Sequence, residues 1–252
     1  MSGPILTIDD VIARLDEIID ENLTSNHALG YFPVLYRRVT IKVKEGIEAG
    51  FFTDGPRMEQ LDVVFARRYI EAYDAFKKGS DCTDAWLKAF ELADQYWPIV
   101  LQHLMVGINA HIALDLGIAA AETQGGKPLV ALREDFERIN EILASLVTEV
   151  QENLVDIWPR LSWLLRKTGA IDDVIVEFGM ELARDNAWQF AEQLHAAPKS
   201  DWPTLMAKRD KRVAAQADHI TAKRSWVLRL ATRIIRLGER GTVGEKIEHL
   251  MT

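Results

Sequence analysis

Apolar residues recur along nearly the whole chain at intervals of three and four, the spacing of one helix face. Ile8, Val11, Ile12, Leu15, Ile18 and Ile19 form the first such stripe. Thr7 stands where a cap belongs, with Asp10 at the capping-box position in place of the usual Glu or Gln. A polar turn over 24–30 leads to a second predicted helix reaching about Gly50, with Pro33 in its first turn and Val34, Leu35, Val39, Val43 and Ile47 facing inward. Tyr36 and Thr40 lie one turn apart on it, with Arg37 and Arg38 between them. Asp54 or Thr53 is the expected cap of a third helix over 56–78, which carries Met58, Leu61, Phe65, Tyr69 and Tyr73. Asp62 falls close to that apolar face, and Gly79 ends the helix. A short helix follows from Thr83 to Ala93.

The most apolar stretch is 98–122, PIVLQHLMVGINAHIALDLGIAAAE. Hydrophobic all round, it is predicted to be a buried core helix. Its length would also span a bilayer, but His103, Asn109, His111 and Asp115 stand in its middle, where ionisable groups are costly in lipid. Its flanks lack a basic bias. No transmembrane segment is therefore expected. Gly125-Gly126 break the chain, and a long helix is predicted over 128–157, ended or kinked at Trp158-Pro159. Short helical pieces reach Thr168, Gly169 is a stop, and Asp172 or Asp173 opens a helix running to His195. After a loop over 197–203 the sequence turns basic, in a helix ending near Gly238. Strand signals are nearly absent. The expected fold is all-α, a single-domain helical bundle around the central helix, with 204–252 either part of it or a basic C-terminal helical appendage.

On an ideal helix His103, Gly107, His111 and Asp115 form one ridge. His111 and Asp115, one turn apart, can share a ligand or a hydrogen bond. His103 is about 12 Å along the axis from His111, too far to share a metal with it easily. Gly107 leaves a gap that would admit a ligand or another helix backbone. Asn109 points to a different side and needs partners of its own. A buried His–Asp pair and a lone glycine also have a purely structural reading, as a packing contact and a close helix crossing. The pocket reading is preferred because several buried polar groups are costly unless they are used.

Composition narrows the classes. The chain has 252 residues, 48% hydrophobic and 27% charged, as in ordinary globular proteins. A net charge of −8 argues against nucleic-acid binding through a broad basic surface. The single cysteine, Cys82, excludes an internal disulfide and any multi-cysteine metal site. The first residues, MSGPILTIDD, carry no secretory signal, so a cytoplasmic location is expected. The basic C-terminal helix reads as a solvated face, with an acidic partner or membrane surface as the alternative.

Known metal and nucleotide motifs are missing. A ferritin-like site needs Glu-x-x-His twice, and Glu192/His195 supply one copy. There is no His-Glu-x-x-His, P-loop or GxGxxG. What remains is a small-molecule enzyme with His111, Asp115, His103 and Asp62 as catalytic candidates. Arg37, Asn109, Tyr36, Tyr69 and Gly107 would bind the substrate, with Arg37 holding an anionic group. In one version His111 and Asp115 bind a divalent metal, zinc or iron, for hydrolysis or oxygen chemistry. In another, Asp115 orients His111 for cofactor-free acid–base work such as a cyclase or isomerase. From another class comes a non-catalytic helical module for an apolar ligand or a partner.

Three segments carry a resemblance: Tyr36-Arg37-Arg38-Val39-Thr40, Arg57-Met58-Glu59-Gln60-Leu61-Asp62, and Gln102-His103-Leu104 followed by Asn109-Ala110-His111-Ile112-Ala113-Leu114-Asp115-Leu116. Together they resemble a bacterial and fungal all-helical family of unknown function with a QHL…NAHIxxDL motif. The likeness extends through Asp135–Asn140 and Arg184–Trp188. It implies that Asp62, His103, Asn109, His111 and Asp115 belong together, and it brings no activity. Ala113 departs from the polar residue expected at its position.

Overall fold

A computed structural model describes residues 3–157, 180–221 and 226–251. Among the described residues there are ten helices and no strand. They are α1 (Ile8–Thr24), α2 (Tyr31–Glu48), α3 (Gly55–Lys77), α4 (Asp84–Leu92), α5 (Val100–Gln124), α6 (Val130–Ile157), α7 (Met180–Ala196), α8 (Trp202–Thr221), α9 (Trp226–Gly238) and α10 (Val243–Met251). The fold is all-α, with α5 at its centre. The pieces expected between Trp158 and Asp173 lie outside the described residues.

Local chemistry accounts for most helix ends. Thr7 and Asp10 form the reciprocal capping box that opens α1. Asp54 caps α3 by accepting from the Arg57 N–H. Gly79 takes a left-handed φ of +68° after α3, and Gly125 and Gly126 do so at +52° and +93° after α5. At α4 the expected cap fails. Thr83 occupies the capping position, but its hydroxyl makes no bond among the described residues. The carboxylate of Asp210, on α8, accepts instead from the N–H groups of Asp84 and Ala85, both at 2.8 Å.

Most outer helices turn an apolar stripe onto α5 or a neighbour, whereas Ile234 and Leu237 of α9 are exposed. Leu15 and Ile18 of α1, Tyr69 and Tyr73 of α3 and Trp86 of α4 are essentially fully buried, each worth about 1.5–3 kcal/mol for an aliphatic side chain and more for the larger rings. α5 is long and apolar enough to cross a membrane, and the rest of the protein buries 94% of its most apolar window. At Gly117 an added Cβ would meet the Ala187 carbonyl oxygen at 2.6 Å, so the missing side chain lets α7 lie directly against α5. α8 packs on α4 and α5, and α10 buries Ile247 and Leu250 beside Tyr31 and Val34 of α2.

Candidate functional site: an apolar cavity with partnerless polar groups

The fourth and fifth turns of α5 are not α-helical. From His111 to Leu116 the backbone widens to a π-helix, in which each N–H reaches back five residues instead of four. Such wide turns recur at functional sites. The widening lies within the NAHIALDL segment, where the uniform ridge drawn from ideal geometry no longer holds. The Ala113 carbonyl in this stretch accepts a bond from Arg209 Nε of α8 at 2.7 Å.

Beside this turn α2, α3, α5, α6 and α7 line a partly open cavity of about 130 Å³. Its walls are almost wholly apolar, among them Leu35, Val39, Met105, Ile108 and Ile139. Four polar side chains line it: Tyr36, Asp62, His111 and Arg184. Among the described residues, both ring nitrogens of His111, the Tyr36 hydroxyl and Asp62 Oδ2 are buried without a hydrogen-bond partner.

His111 is held by rings. Phe65 stacks on it with centroids 3.5 Å apart and planes 10° from parallel, and Tyr36 meets it edge-on at 4.3 Å. Burial lowers its pKa, against a smaller opposing pull from Asp115, so the ring is neutral at physiological pH. Asp62 behaves in the opposite sense. Burial, reinforced by Glu59, lifts its carboxyl to about 7. The Tyr36 phenol is pushed well above its ordinary value by burial and by the charges of Asp62 and Asp115.

Asp115 serves the fold before it serves His111. Its Oδ1 accepts from Arg68 Nε at 2.8 Å and its Oδ2 from Trp86 Nε1 at 2.7 Å. The His111 Nδ1–Asp115 Oδ2 distance is 3.6 Å, too long for a hydrogen bond. The expectation that Asp115 orients the imidazole is corrected on this point: Phe65 and Tyr36 fix the ring. Arg68 and Trp86 were invisible as site residues. Arg68 reads as one of a solvated Arg67-Arg68 pair, and Trp86 as a core residue of a short helix.

Other expected site residues lie elsewhere. Arg37 is ion-paired with Asp16 on the half-exposed face of α2 and does not line the cavity. The gap at Gly107 is filled by the Phe32 ring, whose Cδ2 lies 2.5 Å from where a Cβ would stand. It therefore receives neither a ligand nor a backbone. Asn109 donates to the Val213 carbonyl at 3.0 Å and ties α8 to α5. His103 packs on Tyr31 with centroids 5.5 Å apart, also off the cavity. Tyr69 stands behind the cavity wall, against Phe32 and Trp86.

The metal expectation meets the wrong donor set. Among the described residues no three His, Cys, Asp or Glu side chains converge. The carboxylate one turn from His111 already faces the Arg68 cation and the Trp86 donor. A divalent ion would have to displace both, and would still find two protein ligands where such sites use three or four.

The remaining segments of the resemblance frame the cavity. Asp135 accepts from the N–H groups of Thr53 and Asp54 and from Arg57, at 2.7, 3.1 and 2.9 Å. Arg138 donates to the Phe51 carbonyl. These bonds lock α6 to the α2–α3 turn, and Arg184 closes the far wall. Fold and site together define an all-helical protein with a ligand-sized apolar cavity inside its bundle. The model of the family of unknown function DUF5995 matches residues 8–223, and the chain belongs to that family. No curated protein and no solved structure matches it significantly.

Proposed function

We propose that this protein is a cofactor-independent acid–base enzyme that takes a small, largely apolar substrate into the bundle. One observation carries the reading: the two His111 nitrogens, the Tyr36 hydroxyl and Asp62 Oδ2, all without a partner among the described residues, belong to side chains lining one apolar cavity. A buried polar group left unsatisfied costs about 1–3 kcal/mol, and such sets persist where a ligand uses them. A polar function on the substrate would satisfy them. The protonation states suit proton transfer. Neutral His111 accepts a proton, and Asp62, titrating at about 7, can give or take one. Moving a proton from one substrate atom to another needs no more than this, which points to isomerisation or cyclisation.

The second reading is a non-catalytic ligand carrier, and the clamping of His111 between Phe65 and Tyr36 favours it, because a pinned ring binds well. Deuterium exchange separates the two. Small apolar ketones, aldehydes and acids that bind the protein are incubated with it in D2O and examined by mass spectrometry. The enzyme reading expects catalysed C–H exchange for at least one compound class, abolished in Asp62→Asn or His111→Phe. Tight binding with no exchange above the uncatalysed rate in any class would leave the carrier.

A further inference from the structure

Arg184 is a cation in the wrong solvent. It is 4% exposed and lines the apolar cavity. Its guanidinium lies over the Phe136 ring at 4.8 Å, and one terminal nitrogen donates to the Phe136 carbonyl. Among the described residues its Nε is buried with no hydrogen-bond partner, and no carboxylate forms an ion pair with it. The acid next to it in sequence, Asp185, is exposed and supports its charge only in part. Burial draws the guanidinium down to about 10, which still leaves it charged at neutral pH. Taking such a charge out of water costs several kcal/mol unless a counter-charge meets it. A cation–π contact and one carbonyl return only part of that.

We infer that the ligand of this cavity is a monoanionic amphiphile, a carboxylate on a short apolar chain or ring, and that Arg184 binds its anionic end. The inference rests on the cavity reading above and names its ligand class. A planar guanidinium matches a carboxylate in geometry and charge. A single cation balances a single negative charge, whereas a phosphate dianion would leave excess charge against Leu35, Ile108 and Ile139. The apolar body would lie along those walls, toward Asp62 and His111. On this geometry Arg184 takes the anchoring role that the sequence assigned to Arg37.

The test is calorimetric titration with octanoate, octan-1-ol of matched shape, and acetate, which has the charge without the tail. The wild-type protein is expected to bind octanoate at least roughly tenfold more tightly than octanol, and acetate far more weakly than either. In Arg184→Gln the octanoate advantage disappears while octanol affinity is kept, and Arg184→Lys retains part of it. Ile139→Trp, which fills the cavity, loses both ligands. Equal binding of acid and alcohol by the wild type would overturn the anion inference and leave the apolar cavity as the binding site. Acetate binding as tightly as octanoate would also overturn it. If neither octanoate nor octanol binds, the cavity reading falls as well. The wild-type comparison stands alone if Arg184→Gln does not fold.

Discussion

His103 and His111 lie two turns apart on one helix, both buried and both kept neutral, and they do different things. His103 sits in regular helix. Its ring packs on Tyr31, and burial with the nearby charges of Arg236 and Lys246 drives its pKa to about 3. His111 opens the wide π stretch, stacks on Phe65 and keeps both nitrogens unused beside a cavity. Among the described residues both ring nitrogens of His111, and neither of His103, are buried without a partner. Burial and a lowered pKa are common to both, so neither marks a site. Hydrogen-bond satisfaction separates them.

Mutations can break or sharpen this contrast. The largest effect is expected at Asp115, the carboxylate one turn from His111. If it serves mainly Arg68 and Trp86, Asp115→Ala leaves a part-buried cation and a buried indole N–H unpaired. That should cost about 3 kcal/mol or more in urea unfolding, even in a His111→Phe background. A cost that vanished in that background would return Asp115 to the imidazole.

Opposite pH dependences come next. Asp62 has a folded pKa of about 7 against 3.8. Its contribution to stability is full below 3.8 and is lost as pH rises through about 7. His103 has a depressed value, so its contribution is full above 6.5 and is lost as pH falls towards about 3. Asp62→Asn should therefore stabilise the protein at pH 8, on the order of 2 kcal/mol, and flatten the alkaline side of the stability curve. His103→Phe should flatten the acid side alone. Urea midpoints across pH for both variants check the assignment, and exchanged slopes would refute it.

Between the two histidines, Gly107→Ala drives a methyl group into the Phe32 ring. Overpacking should outweigh the gain in helix propensity and leave a net loss of about 1–2 kcal/mol by thermal or urea unfolding. The smallest effects give the sharpest contrast. At pH 8, His103→Phe disturbs the packing on Tyr31 and should cost about 1 kcal/mol. His111→Phe removes two unsatisfied nitrogens, should leave stability unchanged or slightly raised, and should abolish the catalysed exchange. Equal costs at the two positions would remove the distinction.

Periodicity reports which face of a helix is inward, and this much of the molecule was legible. Thr7, Asp54, Gly79 and Gly125 mark their boundaries through chemistry confined to a few residues. Tyr36, Asp62 and His111 reach the cavity because each lies on or beside an apolar stripe. Periodicity does not report partners. Arg37 and Arg68 look alike in sequence, each one of an Arg-Arg pair on an amphipathic helix. One meets Asp16 at the surface and the other the buried Asp115. Arg184 sits among charged neighbours in Glu181-Leu182-Ala183-Arg184-Asp185, which read as solvated, and only the packing of α7 on α5 and α6 puts it inside. The π turn left no local mark either, since its residues are ordinary helix formers.

The borrowed cap of α4 bears on the order in which the chain assembles. A nine-residue helix is too short to persist in water, and the group that closes its first turn comes from 126 positions further on. A chain leaving the ribosome has made α4 long before it has made Asp210. Until α8 docks, α4 is without its cap, and with it Trp86, whose indole holds Asp115 and helps wall in His111. The pocket is therefore a late product of folding, completed from the C-terminal third. A nascent or prematurely ended chain would carry every residue named at the site and still lack the site.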